Sequence, residues 1–196
     1  PFSDQINRKS KIVNRKSKIV NRKSKIVNRK SQTMLLLICG LPGTGKTTIA
    51  RAFATISGAT HLNSDTMRHE LGLMGHYSPE DKEKVYSTLF QRTREALLCG
   101  ETVVVDSTFY KEKIRAPFRA LAAECKVPLH WVEVQAGENT LRERLSKPRP
   151  DSEADFQVYE KIRDQFEPLP VDRLIVNTDT ETPLSAALII QQYINP

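Results

Sequence analysis

Residues Gly40-Leu41-Pro42-Gly43-Thr44-Gly45-Lys46-Thr47 fit the spacing G-x-x-x-x-G-K-[ST], and their setting constrains the fold more than any other stretch of the chain. The apolar run Leu35-Leu36-Leu37-Ile38-Cys39 precedes them and reads as a buried strand. Thr47-Thr48-Ile49-Ala50-Arg51-Ala52-Phe53-Ala54 follows and reads as a helix with one apolar stripe. A glycine-rich turn between strand and helix lets main-chain N–H groups converge on phosphate oxygens, an approach a Cβ would obstruct. The helix start adds partial positive charge, and Thr48 joins the loop residues Gly40 to Thr47 as a nucleotide contact. Lys46 is placed to reach the β- and γ-phosphates and the Thr47 hydroxyl to ligate Mg²⁺. The sequence therefore predicts a nucleoside triphosphate site with Mg²⁺.

The rest of the body supports the same architecture. Strand-like runs at 34–39, 59–62, 102–106, 128–134 and 172–177 alternate with helix-like runs at 79–99, 111–125, 137–147, 153–166 and 183–194. That alternation predicts an α/β fold: a three-layer, doubly wound parallel sheet of about five strands, with the phosphate-loop strand central. Ser78-Pro79-Glu80-Asp81 supplies a cap, a first-position proline and first-turn acids for one long helix, and Gly100 supplies its stop.

Charge is unevenly spread. Residues 1–33 hold 11 of the 30 Lys and Arg but only Asp4 of the 23 acids, which leaves the body at 19 basic against 22 acidic residues, a net −3. The basic segment is a perfect heptapeptide repeat, Asn7-Arg8-Lys9-Ser10-Lys11-Ile12-Val13, recurring at Asn14 and Asn21 and beginning again at Asn28. Its apolar residues are neighbours, not alternately three and four apart, so a coiled coil is not expected. A solvated, disordered tail is expected instead, because so few apolar groups cannot offset the entropy of ordering. The expected division is a tail at 1–33 and a phosphate-loop, nucleotide-binding domain at 34–196, with the working protein beginning at Met34. Nucleic acid is then a partner only as substrate or through this tail, where binding would weaken steeply with salt.

Cys39, Cys99 and Cys125 are an odd number without metal spacing, and no apolar run approaches membrane-spanning length. A reducing cytoplasm is the expected setting. His61, His69, His76 and His130 show no ligand spacing and read as structural or surface residues.

Among phosphate-loop proteins, a GTPase needs Asn-Lys-x-Asp after a strand, which Asn177-Thr178-Asp179 does not supply, and a remodelling ATPase normally needs more chain. The small-kinase plan remains, an ATP-dependent phosphotransferase acting on a hydroxyl acceptor that is either a small molecule or a polynucleotide 5′-hydroxyl. An ATP-binding switch or ATPase without a dedicated acceptor is the alternative. In parallel sheets ligands gather beyond the carboxyl ends of strands, so the polar residues there are the candidates. In Ser64-Asp65-Thr66-Met67-Arg68, Asp65 caps a short helix and Arg68 lies three residues on, sharing its face. The carboxylate can accept the acceptor's proton and the guanidinium can hold an anionic or polar acceptor. Asp106 ends the run Thr102-Val103-Val104-Val105 and serves either Mg²⁺ or an ion pair that orients Arg68. Arg142, Arg144, Lys147 and Arg149 lead from a helix into a proline-broken loop that suits a lid, with Arg144 and Arg149 as the catalytic choices for the charge on the transferring phosphoryl group.

Taken in order, the phosphate loop, Ser64-Asp65-x-x-Arg68, Val105-Asp106-Ser107-Thr108-Phe109, Phe118-Arg119-Ala120-Leu121-Ala122-Ala123 and Arg142-x-Arg144-Leu145 resemble the polynucleotide-kinase-like and zeta-toxin-like P-loop kinases. The chain is most similar to bacterial members of that group described as AAA-domain ATP-binding proteins, over about residues 34–180. The resemblance implies Asp65 as the general base, Arg68 as the acceptor-phosphate contact, Arg144 as a lid arginine, and Asn177 to Thr180 beside the adenine. Arg149 lies beyond an insertion at Pro148. No ring assembly is implied.

Overall fold

The computed structural model describes residues 33–147 and 154–195. The repeat tail and the loop carrying Pro148, Arg149 and Pro150 lie outside them. Five strands, β1 (Leu35–Cys39), β2 (Thr60–Asn63), β3 (Val103–Asp106), β4 (Leu129–Gln135) and β5 (Leu174–Asn177), form one sheet in the order β2-β3-β1-β4-β5. Every pairing is parallel. The phosphate-loop strand is central, as the sequence predicts, because its five residues are all buried and need cover on both faces.

Seven helices accompany the strands among the described residues: α1 (Lys46–Ser57), α2 (Ser64–Glu70), α3 (Pro79–Leu98), α4 (Glu112–Glu124), α5 (Glu138–Leu145), α6 (Phe156–Arg163) and α7 (Pro183–Ile194). Side-chain alternation along the strands separates two cores. Leu35, Leu37, Val103, Val105 and Trp131 face Met67 of α2, Val85 and Leu89 of α3 and Phe118 of α4. Leu36, Ile38, Val104, Val132 and Val134 face Ile49 and Phe53 of α1 and Ala186 and Ile190 of α7. Three layers result.

Local chemistry sets the boundaries. Ser78 accepts from the Asp81 N–H at 3.1 Å to start α3 behind Pro79, and Gly100 follows its end at φ 81°. The short helix α2 is capped by Asn63, whose side chain accepts from the Thr66 N–H at 2.8 Å. This corrects the sequence expectation: Asp65 lies in the first turn, and its carboxylate is not the cap. β2 runs one residue further than its apolar pattern suggested and so brings Asn63 to the boundary.

Candidate active site

The phosphate loop folds tightly between β1 and α1. A Cβ built on Gly40, at φ 144°, would stand 2.4 Å from the Val134 carbonyl oxygen, so only glycine fits against β4 there. Gly43 lies under α5, where a Cβ would come within 3.0 Å of Leu145 and 3.2 Å of Leu141. The Leu41 carbonyl accepts from Thr44 Oγ1 at 2.9 Å and from Lys46 Nζ at 2.8 Å, drawing the lysine back over the loop. Lys46 is buried with Ile49, Ala50 and Phe53 on the inner face of α1.

Beyond the ends of β2 and β3 the site residues converge. In the parallel register Asn63 stands opposite Asp106. Asn63 Nδ2 donates to Asp106 Oδ1 at 2.5 Å, and Thr47 Oγ1 donates to the same oxygen at 3.1 Å. His61, two residues before Asn63 and so on the same side of β2, brings Nε2 to 2.5 Å from Asp106 Oδ2. Asp106 is 1% exposed. A charge so deeply buried requires such donors.

The other sequence candidates fall around the same space. Arg68 is buried; its guanidinium donates to the His76 carbonyl and lies 4.4 Å from the Tyr77 ring centre. No ion pair joins Arg68 to Asp106, so of the two roles open to that carboxylate, its contacts are with Thr47, Asn63 and His61. Arg144 Nη1 donates to Thr178 Oγ1 at 2.8 Å and to the Gly43 carbonyl at 3.3 Å. Thr178 Oγ1 in turn donates to the Thr44 carbonyl at 3.0 Å, so the end of β5 is stitched to the loop. Of the other cations of that segment, Arg142 pairs with Glu138 at 2.6 Å and lies over the Phe156 ring of α6, and Lys147 pairs with Glu143 at 2.8 Å. Arg149 lies outside the described residues.

A single cavity of about 950 Å³ contains most of these groups, with Lys46, Thr47, Asp65, Arg68, Asp106 and Arg144 in its wall. Tyr86 also lines it, its hydroxyl sharing a 2.8 Å hydrogen bond with Ser107 Oγ, and burial pushes that phenol above its ordinary range. Phe109 anchors the turn after Asp106: it is fully buried, holds a positive φ of 47° and packs edge-on to Phe118 at 5.3 Å. A left-handed aromatic residue costs roughly 1–2 kcal/mol, which the surrounding packing offsets.

His61 and Asn63 are the residues that sequence reasoning missed. Their signal was a polar residue at every second position of β2, His61 and Asn63, beside a strand ending in Asp. Spacing along the chain could not show that β2 and β3 are neighbours.

The sheet order, the phosphate loop and the carboxylate at the end of β3 define a P-loop NTPase fold. The sequence matches the family model described as AAA domain over residues 35–169, and the chain belongs to that family. Uncharacterized proteins of Mycobacterium tuberculosis and Mycobacterium bovis are 34% identical over 123 residues, 57% of this chain. The chain spans about a quarter of those relatives' length, since the match covers 25% of them. APS kinase of Mycobacterium tuberculosis, solved in complex with AMPPNP and APS, superposes with a TM-score of 0.64 at 18% identity, covering 84% of this chain and 99% of that one. A gluconokinase from Sinorhizobium meliloti gives 0.62 at 18% identity, covering 84% and 95%. A sugar kinase from Janibacter gives 0.64 at 16%, covering 83% and 95%. At these identities the likeness is one of fold. Among the described residues no helix is long and apolar enough to cross a membrane.

Proposed function

We propose that this protein is an ATP-dependent phosphotransferase that moves the γ-phosphoryl of Mg-ATP to a hydroxyl acceptor. One observation carries the reading: the cavity walled by the phosphate loop is also walled by Asp65 and Arg68 of α2, which follows the end of β2, two strands along the sheet. A nucleotide switch needs the first wall only. A kinase needs both, since donor and acceptor must meet in line.

Main-chain N–H groups of the loop from Gly40 to Thr48 hold the donor phosphates, and Lys46 leaves the Leu41 carbonyl to bind them. The donor set fits Mg²⁺: the Thr47 hydroxyl and the Asp106 carboxylate are hard oxygen ligands already 3.1 Å apart. When bound, the ion would neutralise charge on the phosphates. His61 and Asn63 hold Asp106 in place for it. Asp65 removes the proton of the acceptor hydroxyl as its oxygen bonds to the γ-phosphorus and the bridging oxygen leaves with ADP. Arg68 steadies the acceptor. Arg144, already on the Gly43 carbonyl, compensates charge on the transferring group, with Arg149 as its partner in that role.

The test uses the full chain with γ-labelled ATP and a cell metabolite extract, beside a 5′-hydroxyl oligonucleotide. Label on any alcohol, at a rate well above release of free phosphate, is the expected result. Label found only as free phosphate would leave an ATPase and remove the acceptor role.

A further inference from the structure

The cavity wall holds six cations, Lys46, Arg68, Lys82, Arg144, Lys147 and Lys161, against the three carboxylates of Asp65, Asp106 and Glu181. Away from the phosphate loop its wall includes Lys82, from the first turns of α3, and Lys161, from α6. Among the described residues neither lysine has an ion-pair partner. Of the cations around them, Arg68 lies over Tyr77, Lys147 pairs with Glu143, and Lys111, outside the cavity wall, has its ammonium 5.4 Å from the centre of Tyr110. Burial first, then the charges of Lys161, Arg68 and Lys111, hold the Lys82 ammonium below its ordinary pKa. Cations kept in one another's company in a partly desolvated pocket disfavour their own charged forms. An anion from outside the chain would relieve that cost. Beside them Tyr77, Tyr86, Tyr110, Val85, Val158 and Ile162 supply ring faces and apolar surface for the body of a small molecule.

We propose that Lys82 and Lys161 form a site for a tetrahedral oxyanion, so that the acceptor is an alcohol already bearing a phosphate or sulfate ester. The inference rests on the phosphotransferase reading only for the word acceptor; the anion site stands or falls by itself. The mild acidity of residues 34–196 favours a small ligand over a polynucleotide, whose backbone would meet a net charge of −3.

The full chain is saturated with ADP and Mg²⁺ so that the phosphate loop is filled, then titrated with inorganic phosphate or inorganic sulfate. Lysine acylation is read by mass spectrometry. The expected result is protection of Lys82 and Lys161 together, at least fivefold beyond that of the exposed Lys113 and Lys126. Protection by phosphate marks a phosphate ester, and protection by sulfate alone marks a sulfate ester. Absence of protection, or equal protection at Lys113 and Lys126, overturns the proposal. Lys82→Gln should abolish protection of Lys161, and Lys82→Arg should restore it; if the glutamine variant no longer binds ADP, the native chain alone decides. Protected lysines with no labelled alcohol in the transfer assay would keep the anion site and remove phosphotransfer. A labelled neutral alcohol with unprotected lysines would do the reverse.

Discussion

His61 Nε2 stands 2.5 Å from Asp106 Oδ2, while the opposite oxygen of the same carboxylate receives Asn63 and Thr47. The aspartate is thereby fixed from both sides, with one oxygen kept against the hydroxyl that begins α1. Outer partners of this kind orient a ligand as much as they stabilise it.

Replacing His61 with Leu should therefore weaken the apparent Mg²⁺ affinity in ATP binding by roughly 10–100-fold, the usual cost of losing such a partner. Calorimetric ATP titrations at graded Mg²⁺ would read it. Unchanged Mg²⁺ dependence would make the contact purely a packing one.

Gly40→Ala should displace the loop, because the new methyl would stand 2.4 Å from the Val134 carbonyl. Overpacking against backbone costs about 1–3 kcal/mol. A lower melting temperature together with lost ATP binding is expected; a variant that melts and binds as the parent does would show that β4 yields.

Asp65→Asn should retain ATP affinity and lose transfer by about 10²–10⁴-fold, the range for a positioned base. Near-normal transfer would take Asp65 out of that role.

Arg144 and Arg142 lie two residues apart and face different partners. Arg144→Gln is expected to lower the transfer rate by roughly 10²-fold or more. Arg142→Gln removes an exposed pair with Glu138 and a contact over the Phe156 ring, and its effect on stability should stay within about 1.5 kcal/mol with transfer little changed. Equal losses of transfer in the two variants would contradict the assignment.

Burial holds the His130 imidazole, edge-on to Tyr193 at 5.7 Å, below its ordinary pKa. The unfolded chain takes up that proton first as pH falls. Stability from neutral His130 is complete above about pH 6.5 and is lost as pH drops through that value toward the folded one. Between pH 7 and 5 the parent should lose more stability than His130→Gln, by less than about 1.4 kcal/mol per pH unit, the limit for one proton. The half-exposed ring reduces this further. Parallel urea-denaturation curves across that range would refute it.

The chain's local patterns determined a good deal alone. The phosphate loop was legible from Gly40 to Thr47 because its function resides in backbone geometry, which fixes glycines at fixed intervals. The central strand was legible because Leu35 to Cys39 is apolar at every position, the mark of burial on both faces. The start of α3 was legible because caps act within one turn. What only the tertiary structure decided is the company each side chain keeps. Asp106 meets His61 and Asn63 because β2 inserts itself beside β3, 43 residues away along the chain from Asn63 to Asp106. Arg144 differs from Arg142 because α5 presents one to the loop and the other to Glu138. Lys82 and Lys161 come from helices with no shared motif. Hydrogen bonds and charges act through space at a few ångströms, and only the folded sheet order sets which residues come that close.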